Sequence, residues 1–438
     1  MQIILTATYC LLFLYVIRKL SFFRTDGIPV WMPGVVFFLK CISGILLGLI
    51  YTYYYTNHQD ADSFKFFTDS KYMFDALYTK PYDFFRMFTG FDSNAPELRP
   101  YYLKMDAWLN TNPIFNDNKT IVRLNTFFRF FSLGYYYVHV IFINAISFTG
   151  LFCIFRSFIV YAPSKKTELF FLTFLLPSVM FWGSGLLKDG LLIGGFGIFL
   201  YAFVRIIHHG LSVKRMIALI AGAWILFMTK VYVIAIILPG IFAWWIARNS
   251  NGTKAVIIFL LSYIIYLGIG FNIYRFDPDI NLAAEIFYKQ KNFIEFAEQH
   301  SATMITLPRI ECSGISVLQH APHALSNTLF RPFLTDYPGN PLILLASVEN
   351  LFIMLLILLC LISIDMKKNK TNAFVMFNLA FILLLFVLIG LSSPVLGAIV
   401  RYKIIALPSL MFVCLYYYDR GRLIRRLPFL RFLSKIKS

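Results

Sequence analysis

Charge is scarce in this sequence. Only 14% of its 438 residues are Asp, Glu, Lys or Arg, against 59% hydrophobic residues, and the mean hydropathy is +0.69. A water-soluble fold has nowhere to put that much apolar surface. Acids are scarcest, 22 Asp and Glu against 40 Lys and Arg, for a net charge of +18. Such a surplus raises nucleic acid as a partner, but its placement excludes that. Most of it sits in short stretches between apolar runs and in the tail Arg420, Arg422, Arg425, Arg426, Arg431, Lys435 and Lys437. That distribution is the positive-inside bias of a membrane protein, and a basic tail suits anionic lipid. Cysteine is also sparse. Cys10, Cys41, Cys153, Cys360 and Cys414 lie in apolar runs and Cys312 in a polar stretch, so no exported disulfide framework exists and no spacing suits zinc. P-loop and Rossmann fingerprints are missing, as are internal repeats and low-complexity tracts. The first apolar run, 3–17, has no basic residues before it and no small-residue cleavage site, so it reads as a first span, not a signal peptide.

What is present is a series of apolar runs. One crossing needs about 20 apolar residues. About eleven candidates fit: 3–17, 33–55, 134–155, 169–186, 190–206, 216–229, 231–246, 255–273, 341–364, 373–392 and 402–418. The expected fold class is therefore an all-α polytopic membrane protein, a single transmembrane domain over 1–418 with a basic cytoplasmic tail, 419–438. With the tail inside and sides alternating backwards, the basic short loops near 18, 160, 210, 250 and 368 all fall in the cytoplasm. The N-terminus is then outside. Two long polar segments, about 56–132 and 274–340, also fall outside; they carry nine and five Lys/Arg against nine and seven Asp/Glu. The first is rich in aromatics (Tyr51 to Tyr55, Phe64, Phe66, Phe67), which suit the headgroup belt. In the second, Leu282, Ile286, Phe293 and Phe296 repeat at helical spacing and predict an amphipathic helix lying on the membrane. Lys40, near the inner end of its span, is expected to snorkel.

Four cations break the positive-inside pattern. Lys188, Lys230, Arg401 and Lys403 sit at the outer ends of spans, where a chance cation is disfavoured. A lipid-linked phosphate or diphosphate lies at that level. Arg401 would clamp it bidentately and the lysines would act as point charges. The alternative is snorkelling with ion pairs, Asp189 pairing Lys188 or capping the next helix. Asp60 and Asp62 follow the second span; one of them would take a proton from an attacking hydroxyl. With His58, Asp60-x-Asp62 would alternatively hold a divalent ion, and the bland reading is a pair of solvated loop acids. Glu349 lies about eight residues into its span, where a carboxylate is a functional candidate or a buried ion-pair partner. Arg331 beside Pro332 would contact an outer phosphate or make a loop ion pair. His320 and His323 are separated by Pro322, which makes a helical metal pair doubtful. Gly190, Gly194, Gly195 and Gly197 make one helix face small, for close packing or for a polyprenyl chain. His139 reads as a satisfied bundle residue.

Three features together resemble a family: the aromatic outer loop with Asp, the run Pro177-Ser178-x-x-Phe181-Trp182-x-Ser184-Gly185-x-x-Lys188-Asp189, and the closing Gly397-Ala398-Ile399-Val400-Arg401-Tyr402-Lys403 with Pro408. They look like polytopic bacterial proteins of surface-polysaccharide assembly, both GT-C-type glycosyltransferases and O-antigen or exopolysaccharide polymerases. The resemblance implies that Asp60 or Asp62 is the acidic catalytic residue and that Arg401 faces lipid phosphate. In GT-C enzymes the first large loop usually follows span 1; here it follows span 2, which favours the polymerase side.

The expectation is glycosyl transfer at the outer face of a bacterial inner membrane. The donor is a polyprenyl-phosphate-linked sugar or oligosaccharide, and no soluble cofactor takes part. Its partners would be membrane lipid, the lipid-linked glycan and other polysaccharide-assembly proteins. The rivals are a lipid-linked glycan flippase, against which stands the lack of repeated halves, and an acyltransferase, which would need His320 or His323.

Overall fold

A computed structural model describes residues 1–54, 61–109, 117–250, 252–300, 303–336, 339–364 and 371–428. Among them the chain is helical throughout, with two isolated β-bridges and no named strand. The apolar runs give α1 (Gln2–Lys19) and α2 (Met32–Tyr53). The first polar segment folds into five further helices: α3 (Asp62–Thr79), α4 (Pro81–Thr89), α5 (Arg99–Tyr102), α6 (Asp106–Leu109) and α7 (Asp117–Ser132). Then come α8 (Tyr136–Tyr161), α9 (Lys166–Phe174), α10 (Pro177–Trp182), α11 (Lys188–His209), α12 (Val213–Thr229), α13 (Val231–Ala247) and α14 (Thr253–Gly270). The second polar segment holds α15 (Leu282–His300) and α16 (Gly314–Phe330). The chain continues through α17 (Pro341–Ser363), α18 (Ala373–Ser392), α19 (Leu396–Lys403), α20 (Leu407–Tyr417) and α21 (Arg420–Arg426).

Seven of the described helices are long and apolar enough to cross a membrane: α1, α2, α8, α11, α14, α17 and α18. The bent pair α19 and α20, meeting at 62°, makes eight if taken as one crossing. The chain is a polytopic helical protein, but several of the eleven expected spans are not single long helices. The run 169–186 is two short helices, because Pro177 starts a new one and Leu187 enters α11 in extended conformation. The run 402–418 is split between α19 and α20, with Pro408 in the first turn of α20. α12 and α13 have 17 residues each.

The chain divides into two compact units, residues 1–157 with 179–234, and residues 158–178 with 235–438. In the first unit, the first polar segment builds a core of its own. Phe66, Met73, Met87, Leu98, Met105, Ile121 and Val122 are buried together with residues of α8. Of its aromatics Phe66, Phe84, Tyr102, Trp108 and Phe128 belong to this interior, while Tyr53, Tyr54, Tyr78 and Tyr82 are exposed. The small face of α11 is a packing face: a Cβ on Gly197 would lie 2.0 Å from the Gly150 carbonyl, and one on Gly195 2.6 Å from Ile225. Close helix contact of this kind needs glycine.

In the second unit, α16 and α18 touch where Gly390 admits the Ala324 carbonyl, and Thr328 donates to the Phe386 carbonyl at 2.7 Å. Pro322 lies inside α16, which runs on continuously, so the proline does not separate His320 from His323. The helix expected over 281–300 is present as α15. Its Ile286 is covered by protein: it is buried with Ile310, Val317, Ala324 and Leu391, while Leu282 packs on the same cluster. Part of the face expected on the membrane is thus covered by protein, while Phe296 stays exposed.

Candidate functional site

Three helix ends meet in the first unit. Asp117 is the first residue of α7, Lys188 the first of α11, and Lys230 follows the last turn of α12. Both ammonium groups reach the same oxygen, Asp117 Oδ2, Lys188 at 2.9 Å and Lys230 at 2.8 Å. Lys188 also donates to Asn118 Oδ1 at 2.7 Å, and Asn118 donates to the Ala107 carbonyl at 3.0 Å. The cluster is thus tied into the loop core. It is not sealed: the side chains of Lys188, Lys230 and Asp117 keep 12%, 20% and 25% of their exposure. Burial alone would raise the Asp117 pKa, but the two lysines override it and hold the carboxyl at about 2. The Phe66 ring lies 5.4 Å from Lys188 Nζ, and Asp62, one turn before Phe66 at the start of α3, is in electrostatic reach of the same ammonium. Lys119 and Arg123, on α7, both lie over Trp108, at 5.1 and 5.3 Å. Arg123 donates to the Met87 carbonyl at 2.9 Å.

The local geometry that presents Lys188 depends on α2. Lys40 does not snorkel. It is fully buried and donates to the Gly183 carbonyl at 3.1 Å and to Ser184 Oγ at 3.0 Å. Asn144 holds the Ser184 carbonyl at 2.9 Å, and Gly44 lets α2 approach so closely that a Cβ there would sit 2.3 Å from it. The short link from α10 to α11 is therefore fixed from two helices. The physical reason for the error is simple: a lysine near a span end has an easy route to water, and hydropathy does not reveal a carbonyl waiting for it inside.

Comparison with family models, with curated proteins and with solved structures finds no match.

The second unit holds the remaining candidates. Glu349 is buried in α17, and both its oxygens accept bonds from Ser178: the backbone N–H at 3.1 and 2.9 Å and the hydroxyl at 2.8 Å. Lys403 is buried and donates to Asn350 Oδ1 at 2.7 Å and to the Arg331 carbonyl at 3.1 Å. Arg331 itself pairs with Asp336 at 2.8 Å and lies over Phe333. Arg401, two residues before Lys403, is half-buried. His320 Nδ1 is within 2.8 Å of the Ser316 carbonyl, and His323 Nδ1 within 3.3 Å of Asn327 Nδ2.

The structure brings Lys188 and Lys230 together and places Asp62 in the same unit. Asp189 is buried one residue into α11, and the Lys188 ammonium is directed to Asp117. Asp60 and His58 lie outside the described residues, as do Arg431, Lys435 and Lys437 of the tail. His139 is buried between Asn125 Oδ1 and Ser132 Oγ, each at 2.7 Å. Sequence reasoning missed Asp117. Its one signal is position, an acid opening an amphipathic helix just before the chain re-enters apolar sequence, where a helix N-terminus favours it.

Proposed function

We propose that this chain transfers a glycosyl group from a polyprenyl-phosphate-linked donor at the extracytoplasmic face of a bacterial inner membrane, extending or decorating a surface polysaccharide. The observation that carries the reading is the convergence of Lys188 and Lys230 on Asp117 Oδ2. Both cations stand against the positive-inside pattern. Two ammonium groups share one carboxylate oxygen and both stay partly exposed, with Asp62 in electrostatic reach of Lys188. A phosphate is the natural anion for the two ammonium groups.

In this reading an acceptor hydroxyl attacks the anomeric carbon, a new C–O bond forms and the bond to the lipid phosphate breaks. The hydroxyl proton passes to Asp62 or Asp60, and Lys188 and Lys230 stabilise the charge that develops on the departing phosphate. Arg331, Arg401, Lys403 and Glu349 lie in the second unit, and no role in the transfer is assigned to them.

The test is transfer from a polyprenyl-linked donor in membrane vesicles, scored with surface-glycan length in cells. Lys188→Ala and Lys230→Ala should each shorten the glycan and suppress transfer while the protein remains in the membrane. Normal transfer in both variants ends the proposal.

A further inference from the structure

A histidine that the proposed transfer does not use is buried where α7 meets α8. His139, in the first turn of α8, has both ring nitrogens engaged by α7: Nδ1 lies 2.7 Å from Asn125 Oδ1, and Nε2 lies 2.7 Å from Ser132 Oγ. These partners fix the tautomer. Asn125 donates its Nδ2 to the Ile121 carbonyl at 2.8 Å, which leaves the accepting Oδ1 for the ring, so Nδ1 carries the ring proton. Nε2 is then the bare nitrogen, and the Ser132 hydroxyl donates to it. The Phe67 and Phe128 rings meet the imidazole edge to face, at 5.0 and 5.7 Å. Behind Ser132 the backbone turns sharply. Leu133 takes a left-handed φ of 51°, which costs a residue with a side chain, and Gly134 follows at 76°. The turn brings the Gly134 N–H to Ser132 Oγ at 3.2 Å. It also brings Gly134 to Arg129, whose Nη1 would lie 3.4 Å from a Cβ there. Arg129 is itself anchored to α3, Nε donating to Ser70 Oγ at 2.8 Å and Nη2 to the Phe67 carbonyl at 2.6 Å. Phe130, Phe131 and Leu133, around the turn, are exposed.

We propose that Ser132, His139 and Asn125 form a nucleophilic triad that accepts an acyl group from a carboxylic ester with an apolar chain, an activity separate from the glycosyl transfer. A hydroxyl within hydrogen-bond reach of a base, itself oriented by a third group, is the arrangement that such chemistry needs. Ser132 Oγ bonds to the ester carbonyl carbon as its proton passes to His139 Nε2. The ester C–O bond then breaks and the departing alcohol takes that proton, leaving acyl-Ser132. A second hydroxyl compound, water in the simplest case, attacks the acyl carbon by the same proton path and frees the serine. Arg129 is the cation at the turn, and it answers the charge that develops on the carbonyl oxygen. Ser132 is buried behind a turn of two residues, so the ester reaches Oγ by displacing that turn, and the exposed apolar side chains beside it favour an apolar acyl chain.

The experiment treats the full chain in detergent micelles with a long-chain alkyl fluorophosphonate and locates the adduct by peptide mass spectrometry. The natural protein should carry it on Ser132, and Ser132→Ala should lose it. His139→Gln should slow labelling of the folded protein about a hundred-fold. Asn125 acts through the histidine as a positioning residue. Asn125→Leu should therefore slow labelling too, and Asn125→Asp, which restores an accepting oxygen, should recover it per folded molecule. A folded natural protein without an adduct on Ser132 overturns the proposal and makes the three residues a packing network, whichever variants fold. Labelling of Ser132 at an unchanged rate in folded His139→Gln overturns it as well.

Discussion

The two units handle buried charge in opposite ways. In the second, Glu349 takes three hydrogen bonds from Ser178, and Lys403 is met by a side-chain amide and a carbonyl. Each charge has neutral hydrogen-bond partners and little access to water, and the two lie in electrostatic reach of each other, which is how a bundle tolerates ions it has to keep. In the first, Lys188 and Lys230 compete for one oxygen of Asp117, and all three side chains retain some exposure. Neutral partners fix a charge in place and add no net field. Two ammonium groups that share one carboxylate oxygen and stay partly exposed are open to an anionic ligand. The second unit's arrangement is that of structural ions, and the first unit's is the one on which the proposed phosphate site rests.

The sharpest way to break this comparison is Lys188→Ala. Removing one preorganised charge at a departing phosphate is expected to lower transfer about a hundred-fold, read as turnover per folded protein in vesicles. Lys188→Arg should restore it only partly, because a guanidinium fork does not occupy a point charge's place. Next in size is Lys40→Met. It leaves the Gly183 carbonyl without its partner at about 1–3 kcal/mol and frees the turn that presents Lys188. Turnover per folded molecule should fall about ten-fold along with the melting temperature. If the melting temperature drops and turnover holds, Lys40 supports the fold alone and the α10–α11 link needs no clamp.

How much of this was legible depends on what hydropathy can register. The long helices were, because α8, α11, α17 and α18 are uninterrupted apolar runs. The breaks at Pro177 and between α19 and α20 were not, since mean hydropathy records how apolar a stretch is and not whether its backbone is continuous. The first loop's interior was hidden for a related reason. Phe66, Met87, Leu98 and Ile121 come from different short helices, and none of these segments is apolar on average. Lys188 and Lys230 stood out because a membrane makes cations on one side exceptional. Asp117 did not, because it is one of nine acids in a polar segment, and only the fold selects it.

Glu349→Gln tests the other half of the comparison. The amide keeps the shape but turns a donor toward the Ser178 N–H, at a cost of about 1–3 kcal/mol. A lower melting temperature in detergent with unchanged turnover per folded molecule is expected. Lost turnover at an unchanged melting temperature would make Glu349 a working acid and the second unit a site as well.

A pH dependence separates two acids of the first unit. Asp69 is buried and accepts backbone N–H bonds from Asp106 at 3.1 Å and Ala107 at 2.8 Å. Burial outweighs those bonds and raises its pKa from 3.8 to about 6. A carboxyl raised on folding favours the folded state when protonated. Its contribution is therefore complete below the unfolded value and lost as pH rises toward about 6, by at most about 3 kcal/mol. Asp117, depressed to about 2, runs the other way: its contribution is complete above 3.8 and lost only as pH falls below that, so it is flat over the same interval. The melting temperature should thus decline between pH 4 and pH 6 in the natural protein. Asp69→Asn, which like the protonated acid keeps one accepting oxygen, should remove that part of the slope. Asp117→Asn should leave the slope and lower the curve throughout, because it strips the shared partner from both lysines. If the slope survives Asp69→Asn, another carboxyl carries it and the loop core does not bury Asp69 as described.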